Sequence, residues 1–208
     1  MKIWFVIAAF TFIFARTNIA FAEPAETEAT KSDQAAAGSA IVKMPREGQP
    51  ISIAGDLAII KVGGAETEGR YTLFEYIVLP GGGPPPHVHS REDEAFYVLG
   101  GEFLFHLEGQ NIHAQTGSFI YSPKGVLHTF VNIGSVPGRM LILATPAGLE
   151  KFFEEAGYPV TDLSAPPSPL TPEDLEKIKS IAPKYGIEIK IPEAPAAQKT
   201  NEQKPQNN

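Results

Sequence analysis

Four residues carry the chemistry open to this chain: His87, His89, Glu94 and His128. His87 and His89 are two apart, so an extended strand presents both imidazoles on one face. Glu94 follows at an odd offset from His89, and the polar run Ser90-Arg91-Glu92-Asp93 suits a turn between them. Glu94-Ala95-Phe96-Tyr97-Val98-Leu99 then reads as a strand. An inward Glu94 shares its face with Phe96 and Val98, which favours it over Asp93 as a ligand. In Leu127-His128-Thr129-Phe130-Val131-Asn132, His128 shares a face with Phe130. Three imidazoles and a carboxylate suit one divalent first-row transition ion, and the candidates are Fe, Mn, Ni, Co, Cu and Zn. Such a set leaves one or two coordination positions open, as a catalytic metal requires. His106, within Phe103-Leu104-Phe105-His106-Leu107, and His113, after a turn, read as structural or surface residues.

These residues sit in two spaced patterns. Gly81, His87, His89, Glu94 and Gly101 fit G-x5-H-x-H-x4-E-x6-G. Gly117, Pro123, Gly125, His128 and Asn132 fit G-x5-P-x-G-x2-H-x3-N. Together they resemble the two motifs of the cupin superfamily, and both motifs are complete. The resemblance implies a double-stranded β-helix barrel with His87, His89, Glu94 and His128 on the metal. More distantly, the chain resembles small bacterial single-domain cupins grouped with quercetin 2,3-dioxygenases. That likeness implies a dioxygenase acting with O2 on a flavonol-like or other enolic aromatic substrate, with Glu94 as catalytic proton acceptor. The reading from another class is a non-catalytic periplasmic protein that holds a metal or small molecule. Oxalate decarboxylase-type chemistry ranks lower, because it needs a cation in the pocket, and Arg70, Arg91 and Arg139 do not fall on an inner face by pattern. Sugar-phosphate isomerisation fits neither the compartment nor the scarcity of basic residues.

The elements that must position this site are short. Ile51–Ile53, Leu57–Val62, Tyr71–Leu79, Ala95–Leu99, Phe103–Leu107, Ile112–Ala114, Ser118–Tyr121, Leu127–Ile133 and Arg139–Thr145 read as strands between Gly and Pro clusters. That pattern predicts an all-β barrel or sandwich over residues 48–147. In Tyr71–Leu79, Thr72, Phe74, Tyr76 and Val78 form one face. The other face carries Glu75 among apolar residues and is the outer one, to be covered by a dimer partner or by C-terminal helices. Gly81 to Pro86 is a stiff lead-in to the first two histidines. Alternation places Phe74, Tyr76, Phe96, Phe105, Tyr121 and Phe130 at a substrate pocket, with Val98, Phe103 and Phe119 near or below it. The same aromatic lining would also serve as plain barrel core.

Residues 148–191 read as a C-terminal helical extension packed on the barrel. It has a helix over Ala147–Ala156 with Leu149, Phe152 and Phe153 on one face, and a proline-rich strap from Pro159 to Pro169. A second helix follows, capped by Thr171 with Pro172 at its first position, and then the alternating edge strand Gly186–Ile191. Residues 192–208 are polar and predicted to be disordered.

Residues 1–22 have the form of an export signal: Lys2, an apolar run from Ile3 to Phe14, and small residues at Ala20 and Ala22. The run is short of the about 20 residues of a membrane span. Cleavage after Ala22 predicts a periplasmic or secreted protein with no stable membrane association. With no cysteine in 208 residues, neither a lipidated cysteine nor a disulfide framework is available. Loss of Lys2 and Arg16 would take the formal charge from −7 to −9. That acidity disfavours nucleic acid, whose phosphates require Lys and Arg. Residues 23–47 have too few large apolar side chains to fold and read as a flexible linker. The expected partners are a small-molecule substrate and, through outward apolar residues, a second copy in a homodimer.

Overall fold

The structure, a computed structural model, describes residues 40–165 and 167–190. The expected signal at 1–22, most of the linker at 23–47 and the tail at 192–208 lie outside the described residues.

Strand β3 shows why the chain closes on itself. Here β1 is Gln49–Ile53, β2 is Asp56–Val62, α1 is the single turn Gly64–Thr67, and β3 is Thr72–Val78. On β3, Thr72, Phe74, Tyr76 and Val78 all face inward and are buried. The outer face is mixed. Leu73 and Ile77 are half-buried, and Glu75 is buried beneath Lys61 and Arg139. Arg139 donates to Glu75 Oε1 from Nε (2.9 Å) and Nη2 (2.7 Å), while Lys61 Nζ lies 3.1 Å from Oε2. Burial pushes the Glu75 carboxyl up, but the two cations outweigh it and hold the group below its ordinary range.

The remaining strands are β4 (His87–His89), β5 (Asp93–Gly100), β6 (Glu102–Leu107), β7 (Gln110–Gln115), β8 (Phe119–Ser122), β9 (His128–Asn132) and β10 (Gly138–Thr145). After them come α2 (Leu149–Ala156), β11 (Tyr158–Pro159), α3 (Pro172–Ile181), a 3-10 turn over Ala182–Tyr185, and β12 (Ile187–Ile189). Among the described residues the strands form two antiparallel sheets, ordered β11-β1-β2-β3-β10-β5-β8 and β12-β4-β9-β6-β7. Each of the nine strand-like runs becomes a strand. The sheets face each other across an aromatic core: Phe96 of the first meets Phe105 and Phe130 of the second, with ring centroids 5.3 and 5.9 Å apart. The chain is thus all-β, a double-stranded β-helix barrel with short C-terminal helices.

The second motif's Asn132 works inside this frame. Its side chain donates to Val78 O and Val136 O, both at 2.9 Å, and accepts from Gly134 N. Its backbone pairs with Gly81 and Gly82, which fixes the lead-in to β4. Next to it, Gly83 has φ +142°, and a Cβ there would lie 2.0 Å from Phe130 O. Only glycine permits that approach.

The C-terminal segment covers the barrel's mouth rather than its outer face. Leu149, Phe152, Phe153 and Ala156 form one buried stripe of α2. Phe153 reaches the inner aromatics, 4.9 Å from Phe74 edge-on and 6.4 Å from Tyr76. Glu150 clasps the helix start to the rim by accepting from Gly64 N (3.0 Å), Gly148 N (2.9 Å) and the Thr72 hydroxyl. Thr171 and Asp174 cap α3 reciprocally, as the sequence signals. Strand β12 then pairs with β4, placing Ile187 opposite His89 and Ile189 opposite His87.

Candidate metal centre

The four candidate ligands come from three strands and both sheets. In β4, His87 and His89 point inward, while Val88 between them is half-buried. The adjacent β9 brings His128 directly opposite His87. Glu94 reaches across from β5 in the other sheet. All four residues are buried, and one ligand atom from each lies within 4.8 Å of the others. Glu94 Oε2 is 2.9 Å from His128 Nε2 and 3.2 Å from His89 Nε2. Asp93 turns away to accept from Lys124 N at 2.9 Å, which steadies the Pro123–Gly125 turn ahead of His128.

Ring orientation follows from the second nitrogen of each imidazole. A carbonyl oxygen can only accept, so Pro85 O, 2.9 Å from His87 Nδ1, fixes the proton on Nδ1. Val126 O does the same for His128 Nδ1 at 3.1 Å, with the Ser122 hydroxyl 3.2 Å away. His89 Nδ1 faces the Glu92 carboxylate at 3.4 Å. At His87 and His128 this leaves Nε2 as the unprotonated nitrogen of the neutral ring, and the Nε2 atoms of His128 and His89 lie beside Glu94 Oε2. Burial, aided by His128 and His89, holds His87 down at about 3. Burial also pushes the Glu94 carboxyl up, but the three imidazoles outweigh it and bring it to about 2. At His89 burial acts downward, and the carboxylates of Glu94 and Glu92 reverse it to a net rise. Three imidazoles converging on an ionised, buried carboxylate are a donor set suited to a divalent cation.

Above the ligands lies a cavity of about 70 Å³. Phe74, Tyr76, Phe96 and Phe130 line it from the barrel. Leu149, Phe152, Phe153, Ile178, Ile187 and Ile189 close it from the C-terminal segment. Burial and the charges of Asp56 and Glu94 hold the Tyr76 phenol in its neutral form. None of the lining residues is Lys or Arg. Arg139 is spent on Glu75 outside the barrel, and Arg70 and Arg91 are exposed.

Two residues expected at the pocket lie elsewhere. Tyr121 is half exposed, as is its strand neighbour Phe119, because β8 runs in the opposite parity to the one expected. Glu94 pairs with Ser122 and Phe96 with Ile120, and paired residues share a face, so Tyr121 and Phe119 point outward. Phe105 is inward and fully buried, but it sits behind Phe96 and Phe130 and does not reach the cavity. Sequence reasoning missed Glu92, which it took as a turn residue, and the destination of the α2 stripe. The stripe at Leu149, Phe152 and Phe153 was visible, and its inward target was not.

Comparison with known proteins agrees with this geometry. The cupin domain family matches residues 74–144, a span that holds all four candidate ligands. An uncharacterised protein of Methanocaldococcus jannaschii is 32% identical over 77 residues, 37% of this chain and 62% of that protein. Quercetin 2,3-dioxygenase of Bacillus subtilis is 28% identical over 95 residues, 43% of this chain and 28% of the enzyme. The chain thus spans less than two thirds of the length of either relative. Among solved structures, a predicted oxalate decarboxylase from Thermotoga maritima aligns with 51% of this chain and 99% of its own, with a TM-score of 0.49 and 20% identity. The two motifs, the barrel that places them and the family match together point to a cupin domain around residues 74–144.

Proposed function

We propose that the protein is an exported, metal-dependent cupin oxidoreductase that uses O2 on an enolic aromatic substrate of the flavonol type. The observation that carries this reading is the buried His87, His89, Glu94 and His128 cluster opening onto an aromatic cavity without a cation. His87, His89 and His128 would hold the ion through Nε2, and Glu94 through Oε2. When bound, a transition metal supplies Lewis-acid and one-electron chemistry to an enolic oxygen and to O2.

The chain's own residues do the rest. Both imidazole contacts of Glu94 fall on Oε2, which leaves Oε1 to accept the substrate's enolic proton. Tyr76, kept neutral, offers a hydrogen-bond donor in an otherwise apolar wall. Phe74, Phe96, Phe130 and Phe153 present flat faces and exclude water. The absence of Lys and Arg disfavours dianionic carboxylates, which would have no counter-charge in the cavity. The likeness to a quercetin 2,3-dioxygenase supports the substrate class.

The decisive test is metal content of the purified mature chain by elemental mass spectrometry, beside His128→Ala. The expected outcome is near-stoichiometric Fe, Mn, Ni, Co or Cu, lost in the variant, with O2 uptake when flavonols or other enols are added. Metal without any such turnover would refute the oxidoreductase reading. Intact mass after expression in an exporting host tests the compartment: a chain starting at Glu23 is expected, and one retaining residues 1–22 would contradict export.

The small cavity favours one second reading. Ligand pockets for organic molecules span roughly 300–1,000 Å³, and about 70 Å³ is well short of that. A protein that stores a metal needs no more room. Tight metal binding with no effect of any enol on the metal's spectrum would favour storage.

A further inference from the structure

Each histidine of the centre solves the same problem: its Nδ1 must keep a proton so that Nε2 can face inward. His87 and His128 solve it with the backbone carbonyl two residues earlier, Pro85 O and Val126 O. His89 has no such carbonyl. Two residues before it stands His87, a member of the same strand, held between β12 and β9. What faces His89 Nδ1 is instead a carboxylate, Glu92 Oε2, at 3.4 Å.

Glu92 is a costly residue for a turn. It is 4% exposed, and Oε2 has no hydrogen-bond partner, as is also true of His89 Nδ1. No Lys or Arg side chain is paired with it among the described ion pairs. A buried, unpaired carboxylate is destabilising, and a role in the fold alone does not explain it. Metal-ligating histidines are oriented by a partner on the other ring nitrogen, and a carboxylate there also raises their basicity.

We propose that Glu92 is a positioning residue, whose carboxylate accepts the His89 Nδ1 proton and thereby fixes the imidazole that ligates metal through Nε2. Glu92 sets one of the three imidazoles apart: His87 and His128 are oriented by neutral carbonyls and His89 by a charge. The proposal rests on the metal reading above, and its test separates the two.

The full chain is compared with Glu92→Gln and Glu92→Ala. Affinity for Co2+ is measured by competition with a chromophoric chelator, and histidine 15N NMR of the metal-free proteins reports the tautomer of each ring. The wild type is expected to show His89 protonated at Nδ1. Glu92→Ala is expected to lose that preference and about 10- to 100-fold in affinity at unchanged stoichiometry. Glu92→Gln keeps an acceptor oxygen without the charge, so it retains the tautomer and falls between the two. The tautomers of His87 and His128 should not move, whereas general loosening of the fold would disturb all three. Unchanged affinity in both variants, or an unchanged His89 tautomer in Glu92→Ala, overturns the proposal. If the wild type itself binds no Co2+, the metal reading fails, and the His89 tautomer alone decides whether Glu92 orients the ring.

Discussion

At Asp56 the barrel keeps an acid it does not use as a ligand. The residue is fully buried at the start of β2. Its Oδ1 accepts from Leu79 N at 3.3 Å, while Oδ2 has no partner. Burial pushes its carboxyl from 3.8 up to about 7, offset only in part by the Leu79 and Gly83 amides. Between those values the folded chain binds a proton that the unfolded chain releases. The stability this contributes is full below pH 3.8 and lost as pH rises through 7. A separation of roughly three pH units corresponds to about 4 kcal/mol as a ceiling. Asp56→Asn keeps an acceptor for Leu79 and removes the charge. We expect it to melt several degrees above wild type at pH 8, with the gap closing near pH 4. A gap independent of pH would show that the charge is not the cause. Nothing in the sequence marks Asp56, since an acid after Ala54-Gly55 reads as an ordinary turn residue. His87, His89, Glu94 and His128 were legible because strand periodicity and motif spacing act on them directly. Glu92 was not, since its function arises only when a turn folds back beneath His89.

At the scale of elements, the α2 stripe decides what the cavity can admit. Phe153 stands across Phe74 and Tyr76 at the mouth, and Phe152 packs beside it with centroids 5.8 Å apart. Helix periodicity identified the stripe, yet no local pattern says whether it covers the outside of a barrel or enters the mouth. The Glu150 clasp to Thr72 and Gly64 makes that choice, and it joins residues more than seventy positions apart. Strand β8 failed for a different reason. Phe119, Ile120 and Tyr121 are all apolar, so alternation carries no parity, and only its pairing with β5 settles the face. Phe153→Ala should cost about 3–5 kcal/mol in unfolding free energy. It should also enlarge the cavity and tighten binding of an aromatic enol by the metal-loaded protein, read by calorimetry beside denaturant unfolding. If the variant is destabilised and enol affinity is unchanged or weaker, Phe153 is core and the ligand enters elsewhere.

For the molecule as a whole, the metal centre and Asp56 together set how stability depends on pH. His87 accepts a proton near 6.5 when unfolded and only at about 3 when folded. Unfolding is therefore favoured progressively as pH falls from 6.5 towards 3. The Glu94 carboxyl, at about 2 when folded and 4.5 when free, acts in the same direction, since its stabilisation is present above 4.5 and lost as pH falls towards 2. Asp56 acts in the opposite direction between 3.8 and about 7, a window that overlaps almost all of that of His87, so the two largely cancel from pH 6.5 down to about 4. The metal-free protein should thus keep a nearly level melting temperature from pH 6.5 to about 4 and lose stability below that, whereas Asp56→Asn, without the opposing carboxyl, should fall steadily from pH 6.5. A bound divalent ion competes with protons for the same atoms. At a hundredfold excess over its dissociation constant it should add about 2.7 kcal/mol near pH 7. That increment should shrink as acid protonates the ligands, so the metal-loaded and metal-free curves converge towards pH 4. Thermal melts from pH 4 to 8 with and without Co2+ or Mn2+ measure both effects. His128→Ala should remove the metal increment. An increment that stays constant down to pH 4, or survives in His128→Ala, would place the ion somewhere other than among these four residues.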